Sequence, residues 1–433
     1  MKPTCFTPAD ILLPDFEKTD GLRWSCVACD QYTSEPEYWR AADALVGDAP
    51  STLHLILPEV YLDETEARKP RVLSAMDDCL REVLVSHPDS MILVERTLGE
   101  GTTRWGLVGA VDLMAYDYTR GAQSLIRATE ATVAERIPAR TTVRRDAPIE
   151  LPHAMLLIDD RSRTVIEPVV ARRKTLPVAY DHDLMQGGGH LKGYFLHKED
   201  VASVEDALAA LVTPEAMTAR YGKEGLAPLL FAVGDGNHSL AAAKACFEEI
   251  RARIGDESAA THPARYALCE VVNLYDASLV FEPIYRVVFG VDPNHLLAAL
   301  ETHIEGLHGD AAPQHIEWVS GAEDPENGEV VSLGGKLEIP TPVNALAVGT
   351  IQDFLDAYLE FDAPDGAYID YIHGEQTARR LGTRPDAVAF IFDGMHKEEL
   401  FSTVISDGAL PRKTFSMGHA ADKRFYTEAR KIR

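Results

Sequence analysis

The sharpest hydrophobic pattern in the chain is LLFAVGDGNHSLAAAKACFEEIRARI, residues 229–254. Residues 229–233 form an apolar run of strand length. From Leu240 the apolar positions fall at 240, 243, 247, 250 and 254, the spacing of one helix face. Gly255 stands where such a helix stops. Gly234, Asp235, Gly236, Asn237, His238 and Ser239 lie between strand and helix. Two glycines let backbone turn sharply and come close to a ligand. Asn237 or Ser239 is expected to cap the helix, whose amide end suits an anion. Read alone, the turn is equally compatible with a functional loop and with an ordinary tight turn.

Elsewhere the pattern predicts a helix through Tyr38, Trp39 and Leu45, started by Ser34-Glu35-Pro36-Glu37 and ending near Gly47. Residues 52–57 (TLHLIL) read as a strand and 72–84 as a helix. Residues 91–97 and 105–113 read as strands, as do 154–158 and 164–170 on either side of Asp159-Asp160-Arg161-Ser162. Those two aspartates suit either a turn or a Mg²⁺ site. Residues 183–194 (DLMQGGGHLKGY) read as a flexible loop or lid holding His190 and Lys192. Helices are expected over 201–211 and 214–220, and strands over 266–273 and 279–288. Beyond Pro293 come a helix over 294–303, a polar turn-rich stretch over 311–335, a strand over 343–348, a helix over 351–360 and a strand over 387–392. The expected organisation is a mixed α/β (α+β) fold whose sheets are covered by helices. Its regions are 1–150 (N-terminal), 151–292 (central, with the GDGNHS loop) and 293–433 (smaller, with a basic tail).

Composition narrows the functional class. The 433 residues carry a formal charge of −26, which opposes binding to nucleic acid or anionic lipid. No apolar run reaches membrane-spanning length and no signal-peptide core is visible, so a cytoplasmic protein acting on small molecules is expected. Cysteines 5, 26, 29, 79, 246 and 269 are scattered as reduced thiols would be. Cys26 and Cys29 form a lone CxxC without the second pair that zinc needs. Against the acidic background, residues 124–145 concentrate Arg127, Arg136, Arg140, Arg144 and Arg145 around Glu130 and Glu135. Arginine forks match phosphate or carboxylate oxygens, so this is a candidate anion site; a solvated helix of Arg–Glu pairs is its alternative. From Pro411 the chain carries seven Lys/Arg against two acids.

The stretches WSCVACDQYTSEPEYW, SLIRATEATVAERIP, LPHAMLLIDD, GGGHLKGY, VGDGNHS and PRKTF together resemble the bacterial and archaeal family called domain of unknown function 1015. Its motif Asp-Gly-His-His-Arg is matched here by Asp235, Gly236 and His238, with Asn237 and Ser239 in the other places. Its Ile-Arg-x-x-Glu is matched by Ile126, Arg127 and Glu130, and its basic Lys-Ser/Thr pair by Lys413 and Thr414. More distantly, the loop resembles the Gly-x-His-Arg turn of the ParB and sulfiredoxin superfamily, which receives nucleotide phosphates and includes free-serine kinases. That resemblance implies a nucleotide-dependent kinase of a small serine-like hydroxyl metabolite, using ATP or ADP and Mg²⁺. Asp235 would bind the metal, Glu130 would act as base, and His238 completes the catalytic set. Gly234, Gly236, Asn237, Ser239, Arg127, Lys413 and His190 would hold phosphate or nucleotide. The alternatives are a hydrolase of a small phosphate ester such as phosphoserine and a non-catalytic nucleotide or metabolite binder.

Overall fold

A computed structural model describes residues 5–130, 137–323 and 330–433, with the side chains of 137–140 and 323 left out. Glu135 and Arg136 of the basic stretch, and the side chain of Arg140, thus lie outside the described residues. The chain is mixed α/β and forms two compact units. One joins Met1–Leu279 to Gly418–Arg433; the other is Val280–Met417.

In the first unit, the described residues form a large mixed sheet. Its spatial order is Val178–Asp183, His190–Phe195, Ile92–Thr97, Thr103–Asp112, Tyr266–Asn273, Met155–Ile158, Phe231–Asp235, Ile126–Ala128 and Tyr116–Asp117. The central strands are apolar because both faces are covered, as sheets buried on both sides require. Phe231, Leu156 and Val271 are fully buried there. The helix Asn237–Ile254 lays Leu240, Ala243 and Phe247 into the same core, as its spacing predicts. It ends at Gly255, whose φ of +83° suits a residue without Cβ. A smaller sheet sets Ala429–Lys431 between Ala9–Pro14 and Ile149–Glu150.

In the second unit, the strands Val330–Ile339, Gln314–Glu323, Ala387–Phe392, Phe281–Phe289 and Tyr368–His373 pair in that order. The helices include Pro293–Glu305, Ala347–Phe361 and Lys397–Ser406.

Several local expectations are corrected. Thr52–Leu55 is a 3-10 turn because the Ser51 hydroxyl accepts from Leu53 N–H and the Thr52 hydroxyl donates to the Trp24 carbonyl. Residues 164–170 begin a helix, Glu167–Arg172, since buried Asp160 pins the amides of Thr164 and Val165 and proline occupies the first turn. Asp160 is thereby a buried loop anchor. The expected GGGH lid is the tight turn of a hairpin between Val178–Asp183 and His190–Phe195. The polar stretch beyond 311 contains two long paired strands, and 343–348 leads into the helix Ala347–Phe361. Ile126–Ala128, at the head of the basic stretch, is a strand parallel to Phe231–Asp235.

Candidate functional site

The turn between Asp235 and Asn237 is possible only for glycine. Gly236 has φ +79°, and a Cβ there would lie 2.8 Å from the Ala154 Cα. Gly236 is itself the helix cap, and no side chain caps the helix, which corrects the expectation of Asn237 or Ser239 in that role. Leu240 N–H makes the opening bond to the Gly236 carbonyl at 3.0 Å. Thr129 braces the strand end by donating to the Val233 carbonyl at 2.6 Å. The Asn237 amide reaches the Thr129 hydroxyl at 3.5 Å. Half-buried His238 occupies the first turn. Ser239 Oγ lies 2.9 Å from His153 Nε2, and the His153 ring packs on Phe425. This pair borders an apolar pocket of about 1000 Å³, open mouth included, with Leu55, Ile56 and Leu151 in its walls.

Charge enters from a distant part of the sequence. Lys423 Nζ stands 3.5 Å from Asp235 Oδ1. It is carried there because Val27 and Arg424 form a β-bridge and the Lys423 carbonyl accepts from Ala28 N–H. Asp235 pushes the Lys423 pKa above its ordinary value; burial opposes this, and Asp30 and Glu130 add to it. Asp235, Glu130, Asp30 and Lys423 therefore form one electrostatic cluster at the start of the 18-residue helix, where the dipole end is positive.

Within the first unit, the remaining sequence candidates Arg127 and His190 have other partners. Arg127 is buried, but its guanidinium donates to the carbonyls of Ser124 and Ala227, below the other end of the strand that carries Asp235. Burial lowers its pKa. His190 sits on a strand, with Nδ1 and Nε2 each 2.7 Å from Asp183 and Asp181, and Lys192 also pairs with Asp181. Arg144 binds buried Glu150 and Arg145 binds Glu249. Lys413 belongs to the second unit, where it adopts φ +55° and its carbonyl accepts from buried Arg286 at 2.8 Å.

Among the described residues, no group of three or more His, Cys, Asp or Glu gathers at metal-binding spacing. Cys26 is buried beside the Thr52 hydroxyl, and burial pushes its thiol up to about 11. The residues that pattern reading passed over are His153, Asp30 and Lys423. His153 lies in the LPHAMLLIDD stretch and Asp30 follows the CxxC, while Lys423 lay in the basic tail beside the selected Lys413.

No curated protein matches the chain. Among solved structures, a free serine kinase variant in complex with AMP is similar at 13% identity and TM-score 0.33, covering 70% of this chain and 89% of that one. A free serine kinase variant in complex with ADP aligns at 12% identity and TM-score 0.33, over 70% and 90%. A conserved hypothetical protein from Pyrococcus furiosus aligns at 10% identity and TM-score 0.32, over 70% and 92%. A family model described as "Protein of unknown function (DUF1015)" matches residues 13–358, and the chain belongs to that family.

Proposed function

We propose that the protein is a cytoplasmic phosphotransferase that moves a phosphoryl group from a nucleotide to the hydroxyl of a small serine-like metabolite. The observation that carries this reading is the Lys423–Asp235 pair at a helix start without a side-chain cap, with Glu130 and Asp30 in its field. Phosphoryl transfer asks a protein chiefly for positioning and for electrostatic stabilisation of the phosphate oxygens. The helix end and the Lys423 ammonium supply the positive side, and His238 donates to a phosphate oxygen. Glu130 receives the acceptor's hydroxyl proton. The bond from the γ-phosphorus to the nucleotide's bridging oxygen breaks as the bond to the acceptor oxygen forms.

The donor set fits Mg²⁺ only as a nucleotide complex. Mg²⁺ in such sites takes one or two carboxylates and draws its other ligands from phosphates and water. Asp235 would supply one carboxylate, and Lys423, 3.5 Å away, orients it. The metal, when bound, would neutralise charge on the transferred group.

The test combines a thermal shift against ATP, with and without Mg²⁺, and an assay for O-phosphoserine formed from serine and ATP. The expected result is a Mg²⁺-dependent ATP shift that Lys423→Met abolishes, with turnover lost in Asp235→Asn. Absence of any nucleotide shift removes the kinase reading. Release of phosphate from phosphoserine without a nucleotide would assign the site to the hydrolase instead.

A further inference from the structure

A second cationic cluster lies in the first unit, behind the GGGH turn. Arg96, Arg104 and Arg424 are 0%, 6% and 3% exposed. Arg96 Nη1 donates to the Gly188 carbonyl at 2.7 Å. A Cβ on Gly188 would lie 2.4 Å from Arg424 Cζ, so two guanidinium groups meet at one residue. Arg424 Nε donates to the Ala421 carbonyl, and Arg104 is neutralised by Glu270 at 3.1 Å and bonded to the Tyr426 hydroxyl. That leaves Arg96 Nε and Nη2 and both terminal nitrogens of Arg424 buried without a hydrogen-bond partner at bonding geometry among the described residues, with the Tyr38 hydroxyl beside Arg424. The acid facing Arg96 is Asp422, whose Oδ1 is 3.9 Å away, beyond hydrogen-bond reach. Burial together with the charges of Arg104 and Arg424 pulls the Arg96 pKa down to about 10.

A fold does not gather like charges in its interior and leave their donors unpaired without a counter-group, because that is among the costliest arrangements available to it. We infer that Arg96 and Arg424, with the Tyr38 hydroxyl, form a buried binding site for the oxyanion of a small molecule, a carboxylate or a phosphate. Guanidinium forks match the paired oxygens of such groups. The triple glycine now has a use. Gly187 and Gly189 take φ of +68° and +85° to make the hairpin turn. Gly188 lies outside the left-handed region and has its own function, which is to leave room for the Arg424 guanidinium. The inference is independent of the kinase reading. The two meet in the chain, since Lys423 faces Asp235 while its neighbour Arg424 faces Gly188.

The experiment is thermal unfolding of the full chain at constant ionic strength, with chloride replaced stepwise by inorganic phosphate or by acetate. Ligand binding to the native state raises the melting temperature with the logarithm of concentration. Wild type should show that rise with phosphate, with acetate or with both. A phosphate response assigns a phosphate-bearing ligand and an acetate response a carboxylate. Arg424→Met should weaken the apparent affinity by about tenfold or more, the loss of one bidentate charged pair. Gly188→Ala tests the same point without deleting a charge. Its backbone tolerates alanine, its amide contacts persist, and the new methyl displaces only the end of a flexible side chain. Lys423→Met should keep the part of the response that Arg424→Met removes, which separates this site from the Asp235 loop. No rise with either anion in wild type overturns the inference. So does a rise that survives both Arg424→Met and Gly188→Ala, or one that Lys423→Met alone removes.

Discussion

Replacing Gly236 by alanine tests the geometry of the GDGNHS turn. Two costs add at this position. A left-handed backbone costs an L-residue about 1–2 kcal/mol. The new Cβ would also sit 2.8 Å from Ala154 Cα and 3.0 Å from its Cβ, backbone and strand-bound neighbours that cannot swing away. Overpacking of this kind costs about 1–3 kcal/mol. The sum, roughly 2–5 kcal/mol, should fall on the helix that the turn launches. Hydrogen exchange read on peptides from 237–254 measures it locally, which avoids assuming that both units unfold together. Protection there should drop by about thirtyfold to a few thousandfold at 1.36 kcal/mol per decade. Gly222 provides the control. It has φ +69° with nothing within 4 Å of an added Cβ, so Gly222→Ala carries strain alone. Its effect on the preceding helix should stay near fivefold to thirtyfold. If Gly236→Ala costs its helix no more than Gly222→Ala costs its own, the close approach to Ala154 is not part of the native turn.

Arg430→Ala should destabilise the first unit by about 3–5 kcal/mol, because it strips a partner at 2.7 Å from fully buried Glu150. Burial works to raise the Glu150 pKa, yet Arg430 and Arg144 hold it below the usual carboxylate value. Its stabilisation is therefore present above the unfolded carboxylate pKa and lost as pH falls through the depressed value. Urea titrations should show the acid limb of Arg430→Ala moving to higher pH. Glu428 has the opposite sign. Burial pushes it up to about 7, so its contribution is complete below pH 4.5 and lost as pH rises through 7. Glu428→Gln keeps an acceptor for the Tyr180 hydroxyl and should be the more stable protein at pH 8.5, by roughly 1–3 kcal/mol. A variant with an unchanged alkaline limb would refute that assignment. At His190 burial opposes the charge, but Asp183 and Asp181 raise the pKa above its ordinary value. Stability from this cation is complete below pH 6.5 and disappears above the raised value, so His190→Ala should matter at pH 5.5 and little at pH 9.

What could be read from sequence follows from the range over which each cause acts. The strand and helix around GDGNHS were legible because their apolar spacing, two glycines and the stop at Gly255 all lie within residues 229–255. The strands Ile92–Thr97, Thr103–Asp112 and Tyr266–Asn273 were legible for the same reason, as central strands read as apolar runs. Thr52–Leu55 was not, since its turn depends on a hydroxyl bond to Trp24, 28 residues away. Residues 183–194 of the hairpin at 178–195 looked like loop because their polar side chains are satisfied across the strands, as those of His190 and Lys192 are by Asp181. In the site, Asp235 and Gly236 were visible locally. Lys423 was not, because 188 residues separate it from Asp235 and only the pairing of Val27 with Arg424 brings it back. Arg127 looked like a phosphate ligand by residue type, and backbone carbonyls claimed its guanidinium instead.

The first unit is completed by a segment made long after the rest of it. Leu279 is followed by the whole of Val280–Met417 before Gly418–Arg433 is translated. At about 5–20 residues per second that interval lasts on the order of ten seconds. Throughout it Glu150 has no Arg430, Arg104 has no Tyr426, and Ala9–Pro14, paired with Leu84–Ser90, waits for its second partner strand. A nascent chain at that stage holds interior charges with only part of their partners, Arg144 for Glu150 and Glu270 for Arg104. Its smaller sheet stays incomplete until the closing segment brings Ala429–Lys431. The same segment delivers Lys423 and Arg424. Maturation of the fold and arming of the candidate site are thus one event, and a ribosome that stalls short of Gly418 releases a polypeptide with neither.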